Sequence, residues 1–183
     1  LPMIKSLAAP YVGVTFMPTG GIGPKNLKSY LDFPKILACG GSWMVDPAML
    51  AAGDYEGIER LTREAVETML GFELTHVGIN APDEANAAKT ADAFSSLFGF
   101  AQKSGSSSIF AGGVIEVMKS PYLGANGHIA IGTNYIARAV RYLKAKGFAF
   151  NEDSAKYDDK GNLAALYLKE EIGGFAVHLV QKK

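Results

Sequence analysis

The chain has only three histidines, His76, His128 and His178, and their settings repeat. His76 opens the run His76-Val77-Gly78-Ile79, and His128 opens His128-Ile129-Ala130-Ile131. His178 lies within Ala176-Val177-His178-Leu179-Val180, and Glu116 lies within the similar run Val114-Ile115-Glu116-Val117-Met118. A polar residue between apolar neighbours on a strand points to the face that its neighbours avoid. Burying Glu116 without a partner would be costly or would raise its pKa sharply. Three imidazoles and one carboxylate meeting at a point relieve that cost by holding a metal. Zinc suits such a set, as do nickel, iron, cobalt or manganese in a more open octahedral site. The plainer alternatives are hydrogen-bonded structural histidines, or Glu116 paired with one protonated histidine.

A second kind of chemistry is written nearer the start. Pro18-Thr19-Gly20-Gly21-Ile22-Gly23 and Gly40-Gly41-Ser42 each follow an apolar, strand-like run. Glycines let the backbone approach a ligand closely, and free N–H groups at a helix start attract anions. In (β/α)8 barrels a phosphate commonly sits between the loops after the last two strands. Two ordinary strand-to-helix turns are the alternative.

The elements that would position these residues fall into two grammars. Val12–Met17 reads as a strand, Pro24 opens a helix to about Leu31, and Ile36–Cys39 reads as a second, buried strand. Asp54 caps a helix whose Ile58, Leu61, Ala65, Val66 and Met69 recur at helical spacing, and Gly71 ends it. From Leu74 the order becomes strand 74–80, a helix capped by Asp83 to about Leu97, and strands near 101–104, 107–111 and 114–119. It then recurs as strand 128–132, helix 135–146, and strands near 148–151, 163–169 and 175–181. This is a βαβββ unit used twice. The expected fold class is α+β: terminal βα units of a (β/α)8 barrel over 1–71, then the duplicated unit over 72–183, with a short stiff junction at Gly71. Trp43, Phe94, Phe98 and Phe100 are expected in cores. Residues 151–160 are expected as a polar hairpin tip that turns at Asp159-Lys160-Gly161.

Bulk composition narrows the partners. Lysine plus arginine balances aspartate plus glutamate, 18 against 18, so there is no electrostatic footprint for nucleic acid or an acidic membrane. No apolar stretch approaches the roughly 18 residues of a spanning helix. The single Cys39 can form no intrachain disulfide and reads as a small buried hydrophobe, consistent with a reducing cytoplasm. A cytoplasmic homo-oligomer is expected, and the start at Leu1 reads as that of a fragment.

Two resemblances sharpen this. Pro18-Thr19-Gly20-Gly21-Ile22, Gly40-Gly41-Ser42-Trp43 and Ala52-Gly53-Asp54-Tyr55 resemble the closing segment of 2-keto-3-deoxy-6-phosphogluconate (KDPG) aldolases, over about residues 1–70. That family cleaves its sugar acid phosphate to pyruvate and glyceraldehyde 3-phosphate through a Schiff base, with no cofactor. The resemblance implies that Gly20, Gly21, Gly41 and Ser42 cradle the phosphate of a sugar acid phosphate, or inorganic phosphate, and that Thr19 lies near the keto acid. The family's lysine precedes a Phe-Pro pair, whereas Phe33-Pro34 here follows Asp32. No aldolase turnover is therefore expected from this polypeptide alone. Residues from about 72 onward are similar to the vicinal oxygen chelate superfamily, which includes glyoxalase I and extradiol dioxygenases. That resemblance implies metal ligands on the first and last strands of each repeat: His76, Glu116, His128 and His178. The last position is often glutamate, and histidine there removes one negative charge. Some members have lost the metal and serve as binding proteins, so a metal-free accessory module is the alternative.

Overall fold

The structure is a computed structural model and describes residues 1–182. Its contacts divide into two compact units, Leu1–Gly71 and Phe72–Lys183.

The first unit is mostly short helices: α1 (Pro2–Ala8), α2 (Leu27–Leu31), a 3-10 turn (Ser42–Met44), α3 (Pro47–Ala52) and α4 (Tyr55–Leu70). The α4 helix forms for local reasons. The Asp54 side chain accepts the Gly57 N–H at 2.9 Å, satisfying a donor that the helix itself cannot. Gly71 closes it in the left-handed region, φ 55°. Ala65 and Leu70 are its buried contacts.

The two strands expected here shrink to a single parallel bridge between Phe16 and Ile36. Phe16 N–H donates to Lys35 O and Leu37 N–H donates to Phe16 O, while Gly40 N–H donates to Pro18 O. The direction of pairing is as expected but the ladder is not, because only one partner strand is available and three flanking side chains, Val12, Met17 and Leu37, stay exposed. Cys39 is half-buried rather than buried. The helix expected from Pro24 begins at Leu27, residues 24–26 forming a turn.

The second unit is an eight-stranded sheet with two helices. In chain order it runs β1 (Glu73–Asn80), α5 (Glu84–Phe98), β2 (Gln102–Ser104), β3 (Ser108–Ala111), β4 (Ile115–Met118), β5 (Gly127–Thr133), α6 (Ile136–Ala145), β6 (Phe150–Tyr157), β7 (Leu163–Leu168) and β8 (Phe175–Gln181). The spatial order is β2-β3-β4-β1-β5-β8-β7-β6. Each repeat pairs its first and last strands in parallel, β1 with β4 and β5 with β8, and the repeats join through antiparallel β1 and β5. This is the βαβββ unit read twice.

Alternation sorts the residues of the central strands between two faces. Val117 and Ile109 face α5, packing with Ala81, Ala87 and Ala91. Asp83 caps α5 by accepting the Asn86 N–H at 2.8 Å. Two details depart from the sequence reading. Strand β6 continues to Tyr157, and the turn is held by the Asp158 carboxylate, which accepts the N–H groups of Lys160 and Asn162. Phe98, expected in the core, is 62% exposed, because α5 ends there and turns at Gly99.

Candidate metal centre

Strand register alone gathers the four polar residues. His76 pairs with Ala130, and Ala130 pairs with His178; Gly78 pairs with both His128 and Glu116. Directly paired residues share a face, and so do residues two apart on one strand. Hence His76, Glu116, His128 and His178 all project from the face opposite α5. The duplication is true in register: two residues beyond His76, Gly78 opposes Glu116, and two beyond His128, Ala130 opposes His178.

Their atoms converge closely. His76 Nε2 and His128 Nε2 lie 3.2 Å apart, His128 Nε2 lies 3.1 Å from Glu116 Oε2, and His76 Nε2 lies 3.2 Å from the same oxygen. One ring nitrogen from each of the three histidines falls within 4.8 Å of the others. His178 completes the set, its ring centroid 5.5 Å from that of His76 and 5.3 Å from that of His128. His128 and His178 are buried, at 3% and 7% exposure.

The surroundings explain how so many polar rings fit. A side chain at Gly78 would place Cβ about 2.0 Å from His128 Cε1, so only glycine leaves room for that imidazole. Ser108 on β3 donates its hydroxyl to Glu116 Oε1 at 2.6 Å, leaving Oε2 for the histidines. Tyr167 on β7 lies flat against His178, with centroids 4.4 Å apart and planes 8° from parallel. Phe110 meets His76 edge to face at 5.6 Å. Asn80, on the site face at the end of β1, donates to Tyr122 O and Gly124 O and accepts the Tyr122 N–H, fixing the β4–β5 connection. Sequence reading singled out none of these supporting residues. The glycine of His76-Val77-Gly78-Ile79 against the alanine of His128-Ile129-Ala130-Ile131 was the available signal for a crowded floor.

The electrostatics follow from this geometry. Burial alone would raise the Glu116 carboxyl, but hydrogen bonds with His128, His76 and Ser108 and the charge of His76 outweigh it, holding it well below the usual carboxylate range. Burial pushes His178 down to about 3, helped by His128, His76 and Lys156 and opposed by Glu116. Burial, then Tyr122 and Glu116, keep the Tyr167 hydroxyl protonated far above its ordinary range.

Among the described residues, three buried nitrogens in the cluster, His128 Nδ1 and both ring nitrogens of His178, have no hydrogen-bond partner. Buried polar atoms without partners are uncommon, and an ion in the cluster would take up one of the two His178 nitrogens, since each imidazole offers a single ligand atom and His128 already turns Nε2 toward Glu116. Bonds of about 2.0–2.1 Å to nitrogen and oxygen set neighbouring donors about 2.9 Å apart around a six-coordinate ion and about 3.4 Å apart around a tetrahedral one. The observed 3.1–3.2 Å lies between. The donor set fits a divalent transition metal.

In the first unit, the Gly40 N–H to Pro18 O bond sets the two glycine loops side by side, and a Cβ on Gly40 would meet Thr19 Cγ2 at 2.8 Å. Gly20 and Gly21 adopt positive φ, 76° and 66°, in an exposed turn. Not every group stays available for an anion. Asn26, which sequence reading missed, accepts the Gly23 N–H at 2.8 Å and donates to Gly21 O at 2.9 Å. The Trp43 ring stands directly over Gly41. Lys5, Lys25 and Lys28 are exposed, and Lys28 pairs with Asp32.

Comparisons with known proteins match the first unit by sequence. The family model for KDPG and KHG aldolases matches residues 1–61. The 2-dehydro-3-deoxy-phosphogluconate aldolase of Haemophilus influenzae is 46% identical over 65 residues, covering 36% of this chain and 31% of that protein. The KHG/KDPG aldolase of Escherichia coli K12 is 48% identical over 64 residues, 35% of this chain and 30% of that protein. The chain thus spans about a third of the curated relatives it matches. Among solved structures, a hypothetical protein from Bacillus halodurans C-125 aligns with a TM-score of 0.46 at 17% identity, over 61% of this chain and 95% of that one. Methylmalonyl-CoA epimerase from Mycobacterium tuberculosis aligns with a TM-score of 0.45 at 15% identity, over 63% of this chain and 90% of that one. Among the described residues, no helix is long and apolar enough to cross a membrane. By sequence, the first third of the chain resembles KDPG and KHG aldolases, and by strand order the remainder is the duplicated βαβββ sheet expected from the recurring order of its elements.

Proposed function

We propose that residues 72–183 form a metal-binding domain of the vicinal oxygen chelate kind, holding one divalent ion through His76, Glu116, His128 and His178, and that residues 1–71 are a phosphate-holding segment of an aldolase barrel. The observation that carries the first part is the triangle of His76 Nε2, His128 Nε2 and Glu116 Oε2, with sides of 3.1–3.2 Å. Glu116 supplies the only negative charge of the set, and Ser108 fixes which of its oxygens faces the histidines. His178 enters neutral, since burial and its neighbours keep it unprotonated at neutral pH. Tyr167 and Phe110 orient the rings and exclude water from two sides. When bound, the ion would act as a Lewis acid on adjacent oxygens of a small substrate, suiting a lyase, isomerase or oxygenase activity.

Melting of the chelator-treated protein with and without zinc, nickel and cobalt tests this. A real site at about a hundred times its dissociation constant stabilises by about 2.7 kcal/mol. Unchanged melting, together with no metal in protein purified without chelator, would leave a metal-free accessory module instead.

The first unit supports a second reading, on the observation that Gly40 N–H ties the loop after one bridging segment to the loop after the other. Gly20, Gly21, Gly41 and Ser42 would then hold inorganic phosphate or a sugar acid phosphate, with Thr19 beside the substrate's keto acid end. None of Lys5, Lys25 and Lys28 is buried, and a Schiff-base amine needs a desolvated lysine. These residues therefore contribute binding of the KDPG-type substrate rather than its cleavage. Phosphate titration followed by calorimetry, with Ser42→Ala as the control, reports on it directly; heat of binding unchanged by the substitution would refute the assignment.

A further inference from the structure

The glycines of the two anion loops are there for different reasons. Gly20 and Gly21 are required by their backbone, which sits at positive φ. Gly41 is not: its φ of −135° and ψ of 95° are extended, a region open to every residue. What excludes a side chain there is Trp43. A methyl group on Gly41 would fall among Cζ3, Cε3 and Cη2 of that ring. The benzene edge of the indole therefore lies on the Gly41 backbone, which the phosphate-holding reading needs an anion to reach.

The loops beneath still have donors to offer. Among the described residues, the N–H groups of Gly20, Gly21 and Gly41 meet no acceptor. Those of Gly23 and Gly40 are taken, by the Asn26 side chain and by Pro18 O. The exposed Lys25 lines one hollow with Gly21. Trp43 carries a donor of its own in the same condition. Its Nε1 is buried and meets no acceptor among the described residues. A buried donor left unpaired forfeits the hydrogen bond it would make in water. Packing holds the ring down while the lost hydrogen bond favours its release, so modest binding energy is enough to shift it.

The geometry points to Trp43 as a gate on the anion loops. Its ring covers Gly41 until an anion of the phosphate class takes the free amides, and then swings out and gives its N–H to water or to an anion oxygen. This rests on the phosphate-holding reading of residues 1–71 above. A gate of this kind lowers the apparent affinity by the fraction of molecules in which the ring stands clear.

Trp43 is the single tryptophan of the chain, so the tryptophan emission of the full chain reports on this ring alone. Inorganic phosphate, titrated against sodium chloride of equal ionic strength, should shift that emission to the red and raise its quenching by acrylamide. Both changes should follow the heat of binding. Trp43→Leu, which truncates the ring, should bind phosphate about threefold to tenfold tighter by calorimetry. Gly41→Ala adds the methyl group that displaces the ring, so its emission without phosphate should match that of the unsubstituted protein with phosphate. Circular dichroism establishes that each variant folds, and Trp43→Leu alone decides the matter if Gly41→Ala does not. Heat of phosphate binding with unchanged emission, or unchanged or weaker binding by Trp43→Leu, would overturn the gate and leave the phosphate reading standing. Absence of heat in the unsubstituted protein and in Trp43→Leu alike would remove both. Heat in Trp43→Leu alone would uphold a gate held more firmly shut.

Discussion

The two repeats of the sheet domain place equivalent residues around one point yet treat them differently. On the last strand of the first repeat, Glu116 is met by Ser108, which donates a hydrogen bond to one oxygen, and by Phe110 as its cross-strand partner. On the last strand of the second repeat, His178 has Tyr167 as its cross-strand partner, stacked flat upon it, and neither ring nitrogen has a hydrogen bond among the described residues. The carboxylate is held by polar contact and the imidazole by its faces. A duplicated fold can thus keep the position of a side chain while changing what holds it. The repeat with the charge is satisfied without an ion; the repeat without it is not.

The largest effect that would sharpen this contrast is on metal affinity. Glu116→Gln should weaken zinc binding by more than about 100-fold, since even supporting residues around metal ligands contribute 10–100-fold. His178→Gln should lose less, because it removes no charge; calorimetric titration measures both, and equal losses would break the asymmetry. Next comes the floor of the site. Gly78→Ala should destabilise the fold by about 3 kcal/mol, because its Cβ would collide with the His128 ring. The matching Ala130→Gly should cost about 1 kcal/mol or less. Denaturant midpoints compare the two.

Protonation separates the repeats further in the metal-free protein. His178 has a folded pKa of about 3 against an ordinary 6.5, so between those values the unfolded chain binds a proton that the folded chain refuses. Its contribution is therefore intact above about pH 6.5 and is lost as pH falls, by about 2 kcal/mol at pH 5. Glu116, also depressed, acts in the same direction but only once pH drops below the usual carboxylate range near 4.5. His178→Phe should flatten the upper limb of stability against pH and leave the lower one. Ser108→Ala should cost about 1–2 kcal/mol from the lost bond to Glu116, and the smallest effect expected is that of Ala165→Ser at the matching place, which should be nearly neutral.

Much of the second domain could be read from the sequence because its signals are local and repeated. Alternation around Glu116 and His178 fixed their face, and the echo of His76-Val77 in His128-Ile129 fixed their partnership. Gly78, Tyr167 and Ser108 were harder to foresee, since their roles depend on cross-strand register, which a single strand's pattern does not state. The first unit was less legible. Val12–Met17 and Ile36–Cys39 have strand-like composition, but strand propensity takes effect only against neighbours, and here each meets just the other. Phe98 has core-like chemistry at the last position of a helix, where the turn at Gly99 leaves it in solvent.

X-ray absorption of the zinc-loaded protein tests the metal centre most directly, because it counts the atoms bound to the ion. The expected spectrum shows three imidazole nitrogens and a carboxylate oxygen at about 2.0–2.1 Å, with one imidazole lost in His178→Ala. A shell of water oxygens alone, or one unchanged by that substitution, would mean that the four side chains meet for structural reasons and hold no metal.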